Sequence, residues 1–206
     1  MTRKRTRSLL CLLLAALMLC LSACGKDDSG SGQGGGEDDV LLPVSINGKE
    51  IRVGETTVQT LLDEGLEVSW VDENYNRLTV DPATQLEANT YYTGGSIKVS
   101  DNMSFKISFT TDEEEVSLGQ AVIARLELST AAENDKSILE TITFDGVPIT
   151  EMTQEKAAEK YPDWTGNEVM WLHYGLEYKY DLNFDISSGC LNKFAVERTY
   201  DVDWNG

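Results

Sequence analysis

Histidine occurs once in this chain, at 173, and cysteine four times, at 11, 20, 24 and 190. The lone His173 leaves no partner set at readable spacing for a Ser–His–acid triad. Its flanks, Trp171-Leu172 and Tyr174, place it on a strand as a packed or half-exposed side chain. Beyond residue 24 only Cys190 remains, which excludes an intramolecular disulfide or a cysteine-rich zinc cluster there. No cationic neighbours in the sequence point to a depressed thiol pKa, so Cys190 reads as a structural thiol. Long apolar runs are also missing. The longest, Leu9 to Leu21, is about a dozen residues, short of the roughly 20 needed to cross a bilayer as a helix. Basic residues are scarce: 17 Lys and Arg against 35 Asp and Glu. So acidic a chain is repelled by nucleic acid backbones, which removes them as partners.

What is present begins with an address. Arg3, Lys4, Arg5 and Arg7 precede the apolar run with no acid among them, the n-region and h-region of a secretory signal. The run ends in Leu21-Ser22-Ala23-Cys24, and the chain turns polar at once with Gly25, Lys26, Asp27 and Asp28. This stretch resembles the lipobox of bacterial lipoproteins. The resemblance implies a signal peptide over 1–23, cleavage before Cys24, and a diacylglyceryl group on Cys24 that holds the chain at the extracytoplasmic face of the cell membrane. Each buried methylene contributes about 0.8 kcal/mol, and two acyl chains anchor far more durably than one. Four of the basic residues and none of the acids lie in the signal, so the remainder carries 13 against 35, a formal charge of −22. That charge suits solubility for an exported domain.

Residues 24–40 hold Gly, Ser and acids with nothing apolar to bury after the cysteine until Val40, and read as a flexible acidic tether. Asn47-Gly48 between Val44-Ser45-Ile46 and Ile51-Arg52-Val53 predicts a hairpin. Thr56 with Gln59 predicts a capping box, Val58, Leu61 and Leu62 share a helical face, and Gly65 is placed to end the helix, which covers 57–64. Strands are expected over Leu66–Trp70, Ile97–Val99, Phe105–Phe109 and, as one element, Val116–Leu128. Ile142-Thr143-Phe144-Asp145-Gly146-Val147-Pro148-Ile149 then lines up without gaps on Val44 to Ile51. A short helix over Thr153–Tyr161 follows, stopped by Pro162, and then strands over Trp171–Tyr174, Tyr178–Ile186 and Leu191–Tyr200. The order of elements repeats, which predicts an internal duplication. The expected class is α+β: two similar units over 41–132 and 133–206, each a short helix packed on an antiparallel sheet.

That layout resembles the tandem-repeat beta-lactamase inhibitory proteins and the small outer-membrane assembly lipoproteins with one such repeat. The resemblance implies the architecture and protein binding through a sheet. No inhibitory loop matches, and the disulfides expected of the inhibitors have no cysteines here.

No catalytic constellation, metal cluster or cofactor motif is legible. Asp72, Asn74 and Asn76 imitate the opening of a Ca²⁺ loop, but Arg77 stands where Gly is needed and Ala83 where Glu is needed, leaving an acidic turn. Asp112-Glu113-Glu114-Glu115 reads as a solvated loop. Asp181, Asn183 and Asp185 form a water-facing row by strand alternation. Hydrolysis by carboxylates alone needs a pair about 5–10 Å apart in a pocket, and the sequence singles none out. Aromatics concentrate late in the chain: Trp164, Trp171, Tyr174, Tyr178, Tyr180, Phe184, Phe194, Tyr200 and Trp204. They serve a core or a binding surface. The expectation is a non-enzymatic binding protein that engages a protein or envelope partner through the second unit's sheet, with Trp164, Trp171 and Trp204 as candidate binding residues. The alternative is a glycan- or peptidoglycan-binding accessory, in which aromatic rings stack on sugars.

Overall fold

The computed structural model describes residues 41–72, 74–111, 114–166, 171–173 and 177–205, all within the compact unit Gly35–Gly206. The signal, Cys24 and the tether lie outside the described residues. The fold is a sheet-rich α+β arrangement, mostly antiparallel, with three short helices among the described residues.

Two hairpins open it. In β1 (Val44–Ile46) and β2 (Lys49–Ile51) the turn residues Asn47 and Gly48 both take left-handed φ, 52° and 76°. Asp145 and Gly146 do the same, at 47° and 75°, between β10 (Ile142–Phe144) and β11 (Val147–Pro148). Two left-handed residues make the turn whose twist matches paired strands, and Asn-Gly and Asp-Gly tolerate it best. The hairpins join through β1 and β10 in the order β11-β10-β1-β2, with Val44↔Phe144, Ser45↔Thr143 and Ile46↔Ile142. The Ser45 and Thr143 hydroxyls lie 2.6 Å apart. Asn47 N–H donates to Thr141 O at 3.0 Å, and Asp145 N–H to Pro43 O at 2.8 Å.

Helix α1 (Val58–Asp63) starts one residue later than expected. Thr57 is the cap and accepts from Thr60 N–H, while Thr56 Oγ1 accepts from Arg52 N–H at 2.8 Å. Gln59 donates forward to Asp63 rather than back to the cap. Gly65, at φ 72°, ends the helix as its position implied; Leu66 N–H reaches back to Leu61 O and Gly65 N–H to Leu62 O. Thr153 caps α3 (Gln154–Lys160) in the same way. Between them, α2 (Lys136–Leu139), capped by Asp135, was not anticipated.

The large sheet runs β12 (Thr165–Gly166), β13 (Trp171–His173), β14 (Tyr178–Phe184), β15 (Leu191–Arg198), β9 (Val122–Ser129), β7 (Ser104–Thr110), β6 (Thr90–Lys98), β3 (Val68–Val71), β4 (Arg77–Leu78). β16 (Asp203–Asn205) pairs parallel with the start of β6. The expected single strand 116–128 is broken. β8 (Val116–Ser117) pairs with β5 (Gln85–Leu86), and a 3₁₀ turn over Leu118–Gln120, closed by the Ser117 and Gln120 side chains, redirects the chain into β9. The expected strand to Ile186 stops at Phe184. Asp185 accepts from Ser187 and Ser188 N–H groups to form a turn, and Ile186 stands in solvent.

β7 meets β9 with a bulge between Ser108↔Arg125 and Phe109↔Ile123. β14 meets β15 with a bulge between Asn183↔Lys193 and Phe184↔Leu191. Each skips one residue, Ala124 and Asn192. Thr57 bridges to Val122, and Thr153 to Cys190. One apolar core fills the space under the sheet: Phe105, Phe109, Leu126, Tyr180, Phe194 and Val196 from the sheet meet Ile46, Ile51, Leu61, Phe144 and Ala157 from the hairpins and helices. At about 25 cal/mol per Å² of buried apolar surface, this side is where stability comes from.

Candidate functional site

Strand alternation turns the other side chains of the large sheet away from that core. Lys106 on β7, Arg125 and Glu127 on β9, Lys193 and Glu197 on β15, and Lys179 and Asp181 on β14 occupy the outward positions. Register brings them together. Arg125 is opposite Glu197 across the β9–β15 ladder, and Lys106 is opposite Glu127 across β7–β9. Arg125 donates from Nη1 to Glu197 at 2.5 Å and from Nη2 to Glu127 at 2.8 Å; Lys193 Nζ lies 3.6 Å from Glu127. Burial works against ionised Glu127, but the Arg125 hydrogen bond and the charges of Lys193, Arg125 and Lys106 outweigh it and hold its pKa below the usual value. Beside this network, burial raises the Tyr91 hydroxyl pKa.

A cleft of about 380 Å³ opens on the same face. Val71, Gly94, Gly95, Ser96, Lys106 and Arg125 are among its lining residues. It sits at the β6 bulge between Tyr92 and Gly95. Gly94 has φ 82°, and a Cβ on it would collide with the Val71 carbonyl; one on Gly95 would lie 2.6 Å from Ile107 Cγ1. Only glycine lets β6 approach its neighbours here.

Val71 leads into the β3–β4 loop, where Tyr75 is 88% exposed at φ 61°. A bulky residue in the left-handed region costs about 1–3 kcal/mol. The Asp72 carboxylate holds the loop, accepting from Asn74 N–H at 2.9 Å, Asn76 N–H at 2.8 Å and the Asn76 side chain at 3.0 Å. These bonds, the side-chain one first, depress the Asp72 pKa. The Asp72-Asn74-Asn76 motif is thus a self-bonded turn, as its failing Ca²⁺ pattern implied.

Trp164 is half-buried. Its ring stacks on Tyr161 at 4.3 Å and on Tyr180 at 5.1 Å, with Tyr178 6.4 Å beyond Tyr180. The interplanar angles are 17°, 22° and 25°. Tyr161 O–H donates to Asp145 at 2.8 Å, where Lys160 also binds at 2.7 Å. Burial first, then Asp145, push the Tyr161 pKa far above its ordinary value. Trp164 therefore packs against the core rather than standing alone in its loop. Trp171 lies on β13 opposite Asn183, and Trp204 on β16 opposite Tyr91. Their side chains, and that of His173, lie outside the described residues. Cys190 is half-buried with Sγ 3.3 Å from Thr150 O. Asp181 faces outward, whereas Asp185 is a turn cap. Asp112 and Glu113 lie outside the described residues; Glu114 and Glu115 are exposed. Among the described residues no group of His, Cys, Asp and Glu could hold a metal ion, and no helix is long and apolar enough to cross a membrane.

Sequence reasoning missed the Arg125 network, the glycine cleft and Tyr75. Alternation marked Arg125, Glu127 and Glu197 as outward, but only register says which strands are neighbours. Compared with protein-family profiles, curated proteins and solved structures, the chain matches none.

Proposed function

We propose that this chain is an exported, lipid-anchored binding protein of the cell envelope, held by Cys24 and engaging a protein partner, without catalysis, through the open face of its large sheet, the second unit's strands included. The observation that carries the reading is the asymmetry of that sheet: one face is packed under the hairpins and helices, while the other presents Lys179, Asp181, Lys193 and Glu197 in a charged row. Charged, water-facing residues on an antiparallel sheet contribute little to folding and are available for recognition. We also propose that the fold consists of two similar units, 41–132 and 133–206. The bulges at the same step of both ladders, the two left-handed turns and the bridges from Thr57 and Thr153 support this. The stacked rings of Tyr161, Trp164, Tyr180 and Tyr178 turn their faces to one another, which weighs against sugar stacking on this group.

Two measurements test the reading. Cys24→Ala should lose labelled fatty acid and leave the membrane fraction; retention of both would end the anchor assignment. Lys179→Gln with Lys193→Gln should lower capture of a specific envelope protein at least five-fold with only a small change in melting temperature, since exposed ion pairs contribute little. Equal capture would remove the second unit's strands from the contact.

A further inference from the structure

Among the described residues the large sheet has one parallel pair, β16 on β6, with Asp203↔Thr90, Trp204↔Tyr91 and Asn205↔Tyr92. Asp203 N–H donates to Asn89 O at 2.8 Å where the pair begins. β7 holds one edge of β6 from Tyr91 to Lys98. The other edge is divided. β3 pairs with it only over Gly95, Ser96 and Ile97, beyond the bulge, so β16 closes the stretch over Thr90–Tyr92. An open strand edge presents unpaired N–H and C=O groups and takes up another strand. Three residues in parallel register hold such an edge weakly, since parallel ladders are slightly less stable per residue.

The path that brings β16 to this edge is short. Thr199 still belongs to the β14 ladder, its N–H donating to Glu177 O at 2.8 Å. Only Tyr200, Asp201 and Val202 then carry the chain past the ends of β9, β7 and β6 to the β3 side. In a flat sheet the four strand spacings, at about 4.8 Å each, come to roughly 19 Å. The four residue steps from Thr199 to Asp203 reach at most about 14 Å. The link closes only because the sheet curls. It contains neither turn nor bend, so it runs extended and without slack. Tyr200 pins its start, with the Arg198 guanidinium carbon 5.2 Å from the ring centre. A short link of this kind favours exchange between copies, because the partner's edge offers the same hydrogen bonds and the link no longer has to cross its own sheet.

We propose that β6 over Thr90–Tyr92 is a strand-acceptor edge for a second copy of this chain: Tyr200–Val202 opens outward, and each copy lays its Asp203–Asn205 along the other's β6 in a two-fold dimer. The segment that fits this edge is the one that already fills it. The exchange is independent of what the outer face of the sheet binds.

The full-length protein carrying Thr90→Cys, Asp203→Cys and Cys190→Ser is prepared in detergent in isotopically heavy and light forms. The two are mixed, unfolded in urea, refolded together and oxidised, and mass spectrometry reads the peptides joined through positions 90 and 203. Exchange with random pairing gives mixed mass in about half of these links. Inserting Gly-Ser-Gly-Ser between Asp201 and Val202 supplies slack and should cut the mixed share at least five-fold. The unsubstituted protein, sedimented in the same detergent, should show a dimer whose share rises with concentration. Links of unmixed mass alone overturn the exchange and leave β16 on its own β6. Absence of any link between 90 and 203 removes β16 from this edge and overturns it as well. A mixed share that the insertion does not lower overturns the short link as its cause. An unsubstituted protein that stays monomeric at every concentration overturns the dimer.

Discussion

The two ends of the large sheet are finished by different aromatic geometries. At the β3–β6–β7 end, Trp70 meets Phe109 at 5.1 Å and 79° and Tyr92 at 5.9 Å and 88°, both edge to face. Its indole N–H donates to Thr93 O at 3.0 Å, beside Gly94. Aromatic contact there ties neighbouring strands to one another, and the opposite face is left with backbone and a cleft. At the β14 end the rings lie nearly parallel, running from Tyr161 at the end of α3 through Trp164 to Tyr180. Stacking there ties a helix to the sheet. Ring contacts of either kind add about 0.5–1.5 kcal/mol beyond area burial. The lesson is that enrichment of aromatics late in the chain does not by itself locate a binding surface. In this molecule the stacked aromatics hold the core, and the exposed, strained ring is in the first half.

The comparison breaks hardest at Tyr180, which is 1% exposed and also accepts a hydrogen bond from Leu42 N–H. Tyr180→Ala should lower unfolding free energy by about 3–5 kcal/mol, as large aromatic truncations do, read from urea midpoints. It should red-shift tryptophan emission as Trp164 loses its stacking partner. A loss below about 1 kcal/mol would mean the stack does not join α3 to the sheet.

At the other end Gly95→Ala should cost less, about 1–3 kcal/mol, because its Cβ must displace Ile107. Unchanged stability would show that β6 shifts freely and that the glycine is not set by packing.

The smallest effect belongs to the charged network where the two ends meet. Glu127 has a folded pKa below its ordinary 4.5. Its contribution is therefore present above that value and lost as pH falls through the folded pKa. Glu127→Gln should flatten the decline of stability below about pH 4.5, with under ~1 kcal/mol lost at neutral pH. Asp72, Asp101, Glu133, Asp135 and Asp185 are also held below their ordinary values, so the decline should persist in part. A parallel curve would mean that Arg125 does not distinguish the two protonation states of Glu127.

Local chemistry was the legible part. Asn47-Gly48 and Asp145-Gly146 named their turns because few residues tolerate two left-handed positions in a row. Gly65 named a helix end for the same reason. Alternation over 178–186 assigned Tyr178, Tyr180, Leu182, Phe184 and Ile186 to one face; the first four are buried, and Ile186, past the end of the strand, is exposed. The sequence alone thus determined the hairpins, the two helices that follow them and the inward and outward faces of the long strands, since each depends on residues a few positions apart. Tertiary structure decided the rest. That β9 pairs with β15, and so places Arg125 opposite Glu197, depends on contacts between residues 72 apart in sequence. The break at Leu118, the cover over Trp164 and the cleft at Gly94 and Gly95 likewise arise where distant strands meet, and no local periodicity encodes which distant strand that will be.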